Sequence, residues 1–290
     1  MSAEKQEKQS AVSLMKELGA RLEDFREDPE QIAAWLRWNN NFTDYSAVNR
    51  MYIYAQLPEA TQVASYKKWE SLGRNVIKGS KSIKIFAPNT FKKRKKDEDE
   101  EEDNKKDMVF SFRSIPVFDI SQTEGESIDL LPKVQKNSTL DQLAEEVAER
   151  LKTLGVSIER YTSSPTMLSG YSNFSVTLNS VHSKEIQNIG IIRSIALYHL
   201  NENLKSVFKT ELDYAEKSWV ANAATWALLE RRKIDANEHI GTLLSGYTGE
   251  RTFKELLTAT DQVVTFLDAL DEGIPAEWAA SIVTNNSSVA

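Results

Sequence analysis

The chain has 290 residues, no cysteine and a formal net charge of −7 at pH 7. The length suits two domains of ordinary size, and the lack of cysteine excludes disulfides and thiolate metal sites. No apolar run reaches the length of a membrane span, and the polar N-terminus lacks the apolar stretch of a secretory signal. We therefore expect a cytoplasmic protein with no membrane partner.

The first half of the chain is predicted to begin with helices. Residues 1–10 have the polar composition of a disordered tail, and apolar residues recur at helical spacing from Ala11 onward. Pro29 predicts the start of a second helix, because proline is favoured at the first helical position. A third helix is predicted over 46–56, and a short fourth one over 65–72 (SYKKWESL).

Strands are predicted to follow this short helix. Residues 75–77 and 82–86 flank Lys78-Gly79 and indicate a β-hairpin. A further strand is predicted over 108–120, where Pro116 indicates an edge strand or a bulge.

The segment from Gln31 to Lys93 is basic although the chain as a whole is acidic. It holds ten basic residues and three acidic ones. Single-stranded DNA is bound by positive charges that meet the phosphates and by aromatic faces that stack on the bases. This composition predicts a surface for single-stranded DNA, to which we assign Tyr66, Lys67, Lys68, Trp69, Arg74, Lys78, Lys81 and Lys84.

An alternative interpretation stays open for these residues. Trp69 alone is more often an anchor of the core than a stacking platform, and exposed lysines are common on any surface.

In the strand over 82–86, alternation places Ile83 and Ile85 on one face and Lys84 on the other. Lys84 is thus predicted to face DNA while the isoleucines enter the core.

A block of opposite charges separates two of the predicted strands. Lys92–Lys96 (KKRKK) is followed directly by Asp97–Asp103 (DEDEEED), which is typical of a solvated, flexible loop, here over 92–107. We hypothesise that the acidic stretch folds over the DNA surface and competes with DNA. Deleting residues 97–103 would then tighten DNA binding, and unchanged binding would refute the idea.

The second half of the chain is predicted to be mainly helical. A linker over 127–138 leads to a helix that Ser138 or Thr139 caps and that ends at Gly155. The other predicted elements are strands over 156–161 and 173–178, helices over 184–201, 211–232 and 252–270, and a polar tail over 285–290. The whole chain is thus predicted to be α+β, with a mixed helix and antiparallel-sheet domain over 11–126 and a mainly helical domain over 139–284.

Three blocks of the sequence resemble the ArdC-type antirestriction proteins. They are residues 42–61 (FTDYSAVNRMYIYAQLPEAT), 71–88 (SLGRNVIKGSKSIKIFAP) and 117–126 (VFDISQTEGE), in the family's order. The resemblance implies an N-terminal domain that binds single-stranded DNA and a setting on conjugative plasmids, where such proteins are thought to shield incoming DNA. It also implies that the following residues lie at the DNA surface or groove: Tyr45, Asn49, Trp69, Arg74, Lys78, Lys81 and Gln122.

The family's C-terminal domain resembles a zinc peptidase. Such a site requires His-Glu-x-x-His on one helix, which places both imidazoles on one face, and a third ligand from the next long helix. The resemblance aligns residues 191–200 (IIRSIALYHL) with the first helix, and the four functional places then hold Arg193, Ser194, Leu197 and Asn222. We therefore expect a zincin-like domain that lacks its metal site, with no metal, no cofactor and no enzymatic activity.

The histidines offer no substitute site, since His182, His199 and His239 lie far apart in the sequence. We expect His199 to be a structural residue. We hypothesise that Arg193 forms a buried ion pair with Glu211 or Glu216 in the former zinc cavity.

The sequence thus predicts sequence-independent binding of single-stranded DNA in conjugation or antirestriction, with an inactive peptidase-like domain. The alternative is a scaffold that binds a protein of the transfer or restriction machinery, with weak or no DNA binding. An active metallopeptidase would need a metal site that the sequence does not contain. The sequence does not set the oligomeric state.

Overall fold

The computed structural model describes residues 11–39, 42, 45–90, 109–128, 138–162, 168–204, 211–235, 240, 244 and 249–271. The chain folds into two units, each packed mainly within itself. One, here called the sheet unit, combines Asn49–Ile128 with Met1–Arg21 and Val289–Ala290, and the other, the helical unit, combines Asp129–Ser288 with Leu22–Val48. The predicted tails over 1–10 and 285–290, the charged loop over 92–107 and most of the predicted linker lie outside the described residues.

The first helices are α1 (Ala11–Asp24), α2 (Pro29–Asn39) and α3 (Ala47–Gln56), with a 3₁₀ turn over Phe25–Glu27 between the first two. The predicted start of α2 at its proline is confirmed. The side chain of Asp28 accepts hydrogen bonds from the backbone N–H groups of Glu30 and Gln31, at 3.0 and 3.3 Å. These bonds satisfy donors that the first turn of a helix otherwise leaves without partners.

The sheet unit carries two antiparallel sheets. Its further elements are β1 (Val63–Ala64), α4 (Tyr66–Ser71), β2 (Arg74–Val76), β3 (Ile83–Thr90), β4 (Val109–Asp119), a 3₁₀ turn over Ile120–Gln122 and β5 (Thr123–Gly125). One sheet has the strand order β1-β4-β3, and the other pairs β2 with β5. Ile83 and Ile85 of β3 are buried, as the alternation predicts.

The predicted hairpin between residues 75–77 and 82–86 is wrong. β2 pairs with β5, so that Asn75 lies opposite Glu124, and β3 pairs with β4 instead. The chain between β2 and β3 is held by the segment that follows β4, because the N–H of Ile77 donates to the carbonyl of Gln122 at 2.9 Å. The local pattern marks a turn at Gly79, but it does not specify which strand each arm of the turn will pair with.

The edge strand predicted from Pro116 is found only locally, because β4 is the middle strand of its sheet. Pro116 lies opposite Lys84 of β3, and among the described residues β1 pairs with β4 at Phe118 and Asp119, beyond the proline. The irregularity in the β3–β4 register falls between Asn89 and Thr90 rather than at the proline.

In its described residues the helical unit combines α2 and four later helices with a small mixed sheet. Its elements are α5 (Leu140–Thr153), β6 (Ser157–Tyr161), β7 (Ser169–Ser172), β8 (Ser175–Asn179), α6 (Lys184–Glu202), α7 (Tyr214–Arg231) and α8 (Phe253–Asp271). The strand order is β6-β8-β7, with β6 parallel and β7 antiparallel to β8. Together with the antiparallel sheets of the other unit, these elements confirm the predicted α+β fold class.

β7 is a strand that the sequence pattern did not reveal. It joins β8 through a two-residue turn in which Asn173 and Phe174 both have positive φ, 49° and 56°. Such angles suit the tight turns of hairpins, where Asn and Gly are usual and Phe is rare. Asn173 is typical of such a turn, but Phe174 stands where a glycine is usual, so the sequence does not mark the turn clearly.

Helices α6 and α7 form the centre of the helical unit. α6 is buried without interruption from Asn188 to Leu200, and α7 from Trp219 to Leu229. A helix buried on all sides is normally apolar all round, so a polar side chain within it requires a partner. The polar residues of α6 and α7 are therefore candidate positions for a functional site.

Candidate functional site

The short helix α4 presents part of the predicted DNA surface to solvent. Its N-cap is Ser65, whose hydroxyl accepts the N–H of Lys68 at 3.3 Å. Tyr66 is 51% exposed, and Lys67 and Lys68 are exposed beside it. The cap stabilises the first turn of the helix, and the side chains of these three residues are accessible to solvent.

The turn between β2 and β3 adds two further cations. Lys78 and Lys81 are both exposed, and Ile77 beside them is 41% exposed. Lys84 on β3 is half-buried. We refer to Tyr66, Lys67, Lys68, Lys78 and Lys81 as the basic surface.

Trp69 does not belong to the basic surface. Its side chain is fully buried, at 0% exposure, and its indole N–H donates to the carbonyl of Phe118 on β4 at 2.8 Å. The predicted stacking role of Trp69 is therefore wrong, and the alternative of a core anchor is confirmed. The position three residues after Tyr66 turns inward because α4 packs against β2 and β4.

Arg74 and Gln122 hold the backbone together instead of extending into solvent. The guanidinium of Arg74 donates to the hydroxyl of Thr123 at 2.8 Å and to its carbonyl at 2.9 Å, which ties β2 to β5. The side chain of Gln122 accepts the N–H of Asp119 and donates to the carbonyl of Lys81, at 2.9 and 2.8 Å. A DNA contact would have to compete with these bonds.

Asn49 of α3 has a similar structural role. Its amide accepts the N–H of Phe86 at 2.8 Å and donates to the carbonyl of Phe86 at 2.9 Å. Gln56, seven residues further along α3, makes the same pair of bonds with the N–H and carbonyl of Lys84, both at 2.9 Å. We call these four bonds the edge clamp, since α3 uses them to occupy backbone groups of β3 that a neighbouring strand would otherwise pair.

Gln56 was not singled out from the sequence. The signal that could have found it is the spacing, because residues seven apart lie on one face of a helix. Tyr45, the remaining residue that the resemblance implied, is half-buried and belongs to the helical unit.

A second polar cluster surrounds Arg193 at the centre of the helical unit. Arg193 is only 4% exposed. Its guanidinium donates to Asn222 of α7 at 2.7 Å, to the hydroxyl of Ser218 at 2.8 Å, and to the carbonyl and hydroxyl of Ser169 at 2.9 and 3.2 Å. Leu197, one turn further along α6, lines the same cavity as Arg193.

Three of the four positions aligned with the zinc site thus lie together. The fourth, Ser194, is fully buried and donates to the carbonyl of Gly190 in its own helix at 2.6 Å.

Residues 5–118 match the family described as the N-terminal domain of anti-restriction factor ArdC. The chain carries an ArdC-type N-terminal domain. The resemblance predicted from the three sequence blocks is thereby confirmed, although a search of the curated proteins gives no significant match.

The ArdC-like fold extends beyond this domain. The crystal structure of the Mn(II)-bound antirestriction ArdC protein from the R388 plasmid superposes with a TM-score of 0.52 and 15% identity, covering 94% of this chain and 98% of that one. Its metal-free form gives a TM-score of 0.47, also with 15% identity, and covers 95% and 98% of the two chains. At this identity the similarity to the Mn(II)-bound structure concerns the fold alone.

The residues of this chain do not fit a metal at the place that the resemblance aligns with the zinc site. Arg193 carries a positive charge, Leu197 has no donor atom, and the Asn222 oxygen already accepts a hydrogen bond from Arg193. Within the described residues, no group of three or more His, Asp or Glu side chains is arranged to hold a metal ion.

The hypothesised ion pair of Arg193 is wrong. Glu216 lies 2.9 Å from Arg251 instead, and its carboxylate also accepts the N–H of Asp213 at the start of α7. Glu211 is exposed. Glu216 therefore closes the N-terminal turn of its own helix, and the partners that the structure gives Arg193 are neutral.

His199 is a core residue, as expected. It is 1% exposed, and its ring stacks on Phe266 with the ring centroids 4.0 Å apart. Burial lowers the pKa of the His199 imidazole to about 3, because the apolar surroundings disfavour the charged form. His239 lies outside the described residues, and no helix of the described segments is long and apolar enough to cross a membrane.

Proposed function

We propose that this protein binds single-stranded DNA without sequence preference through the basic surface, in plasmid transfer or antirestriction. The observation that carries the proposal is the exposure of Lys67, Lys68, Lys78 and Lys81 together with the exposure of the Tyr66 ring. They lie in the part of the chain that matches the N-terminal domain of anti-restriction factor ArdC. The family name and the R388 relative support the antirestriction setting.

The basic surface has the two properties that single strands require. Lysine ammonium groups displace counterions from phosphates, and a tyrosine ring stacks on a base whatever its identity. Three acidic side chains are exposed in the same unit. Glu70 lies on α4, Glu124 lies on β5, and Glu126 follows β5 directly. They reduce the positive charge beside β2, so phosphates are expected to follow the lysines of α4 and of the turn.

The test is fluorescence anisotropy with a labelled single strand and the matching duplex at several salt concentrations. We expect the single strand to bind more tightly, with affinity falling as salt rises by a log–log slope of about −0.7 per phosphate contact. The double variant Lys67→Ala/Lys68→Ala should weaken binding and reduce the magnitude of the slope by about 1.4, that is, by two contacts. Lys152→Ala is the matched control, since Lys152 is an exposed lysine of the helical unit.

The absence of binding at low salt would contradict the proposal and favour the scaffold interpretation. Equal loss of affinity in Lys152→Ala would show that net charge, rather than the basic surface, determines binding.

We infer that the helical unit has no peptidase chemistry. The support is the chemistry of the residues around Arg193. Asn222 already accepts a hydrogen bond from Arg193, and no group of His, Asp or Glu side chains among the described residues is arranged to hold a catalytic metal. Metal analysis of the purified protein should find no stoichiometric zinc or manganese. A stoichiometric metal that is lost in the Asn222→Ala variant would overturn this inference.

A further inference from the structure

A cavity opens beside Arg193 in the helical unit. Its volume is ≈ 310 Å³, part of which is open to solvent. Two cations line it, Arg193 and Lys217, together with the hydroxyl-bearing residues Ser169, Ser218 and Tyr214. Tyr171 lines it as well, but its hydroxyl donates to the carboxylate of Glu202 at 3.1 Å and does not count as a donor for a ligand. Among the described residues that line it there is no Asp or Glu.

The charge of Arg193 has no counter-ion among the partners that the structure gives it. All four of its hydrogen bonds go to neutral oxygens, whereas buried charges in proteins are normally paired with opposite charges. Burial lowers the pKa of the Arg193 guanidinium to about 10, with Tyr214 raising it slightly, so the group stays charged at neutral pH.

These bonds fix the guanidinium in place. Asn222 and Ser218 hold it from α7, and Ser169 holds it from β7. A guanidinium has five N–H donors, so these four bonds to described residues leave one donor that a ligand can use. A planar guanidinium that its neighbours hold rigidly loses little entropy when it binds an oxyanion.

Lys217 supplies a second cation, which makes fewer hydrogen bonds than Arg193. Its ammonium group donates to Asn201 at 2.9 Å, and an ammonium has three protons, so two remain for other acceptors. Lys217 and Ser218 are adjacent on α7, so both side chains reach the cavity from the same turn of the helix.

We propose that this cavity binds a phosphate group, held by the charges of Arg193 and Lys217 with hydroxyl donors from its wall. A fixed guanidinium stands where the resemblance places a zinc ligand, and the preference of the cavity thereby changes from a cation to an anion. A phosphate supplies a counter-charge that the described partners of Arg193 do not provide, and its oxygens suit the N–H groups of a guanidinium. The phosphate can be free in solution or can be the terminal phosphate of a DNA strand.

The first experiment titrates the full-length protein with inorganic phosphate at constant ionic strength and follows the ³¹P NMR line width. We expect saturable broadening in the wild-type protein. We expect binding at least about tenfold weaker in Lys217→Ala and in Arg193→Met, because each removes a charged partner of the phosphate. Lys184→Ala, which changes an exposed lysine elsewhere in the same unit, should bind as the wild type does.

Urea unfolding of each variant separates binding from folding. Replacing a buried charge by an apolar side chain of similar size is often tolerated, so Arg193→Met is expected to fold. If it does not fold, Lys217→Ala carries the test, because Lys217 is only half-buried. No saturable binding in the wild type, or equal binding in Lys217→Ala and Lys184→Ala, would overturn the proposal.

A second experiment distinguishes the two sources of the phosphate. Oligonucleotides with a 5′-phosphate and with a 5′-hydroxyl are compared in the Lys67→Ala/Lys68→Ala variant, in which the basic surface is weakened. A preference for the 5′-phosphate that Lys217→Ala abolishes supports a DNA terminus. Binding of inorganic phosphate without that preference supports a free phosphate. Both results are independent of whether the basic surface binds DNA.

Discussion

Tyr66 and Trp69 show how two aromatic residues of one motif acquire different roles. They are three positions apart in SYKKWESL, yet one is half exposed and the other is fully buried. The helix geometry decides this outcome, because only one side of α4 packs against the strands. Composition could predict that an aromatic face is present near the lysines, but not which ring supplies it.

At Tyr66 we expect a binding effect without a stability effect. Tyr66→Ala should weaken single-stranded-DNA binding by about 1–3 kcal/mol, the value of one stacked base, and leave the salt slope unchanged. Tyr66→Phe, which keeps the ring, should bind almost as the wild type does. A salt slope that falls in Tyr66→Ala would indicate that the variant disturbs the lysines rather than a stacking contact.

At Trp69 we expect a loss of stability. Trp69→Ala should lower the free energy of unfolding by about 3–5 kcal/mol, because it leaves a cavity and removes the bond to the Phe118 carbonyl. Urea denaturation measures this loss. A variant as stable as the wild type, but unable to bind DNA, would restore the stacking interpretation.

His199 makes the stability of the protein depend on pH. The folded pKa of about 3 lies below the ordinary value of 6.5, so the unfolded chain takes up a proton first as the pH falls. The contribution of neutral His199 is therefore complete above about pH 6.5 and is lost progressively towards pH 3, at up to about 1.4 kcal/mol per pH unit.

Urea unfolding between pH 7 and pH 4 tests this dependence. We expect His199→Gln to have a shallower loss of stability towards acid than the wild-type protein, because it removes the titrating group. The same measurement on His182→Gln, which removes a different histidine, is the control. An unchanged slope in His199→Gln would mean that the imidazole is hydrated in solution.

At the scale of elements, hydrogen bonds between side chains and backbone determine how helices and strands meet. Asn49 and Gln56 bind α3 to β3, and Arg74 binds β2 to β5. The helices and most strands could be predicted from periodicity, since each depends on its own residues. The pairing of β2 with β5 could not, because it joins segments that are almost fifty residues apart.

The edge clamp can be examined one bond pair at a time. Asn49→Ala should accelerate hydrogen exchange at the Phe86 amide, and Gln56→Ala at the Lys84 amide, since each amide then loses its acceptor. Each substitution should cost about 1–3 kcal/mol of stability, because it leaves partly buried backbone groups without partners. If both amides exchange at the wild-type rate in both variants, the edge clamp does not protect the backbone of β3.

At the scale of the whole molecule, the two halves of the chain differ in what the sequence could predict. The basic surface follows from composition, and its lysines are where an exposed loop and helix would place them. The Arg193 cluster depends on residues of β7, α6 and α7, which are distant in the sequence. Alignment on the resemblance singled out Arg193 and Asn222, but the bonds of Arg193 to Ser169 and Ser218 could not be predicted, because they are set by packing.

The edge clamp has a consequence for the protein at high concentration. A strand with unpaired backbone groups along its side is a template on which another chain can add a strand, and this is a common route to aggregation. Two amide side chains on α3 occupy those groups at Lys84 and Phe86, where β3 would otherwise accept such an addition. We therefore expect Asn49 and Gln56 to protect the protein against self-assembly as well as to stabilise its fold.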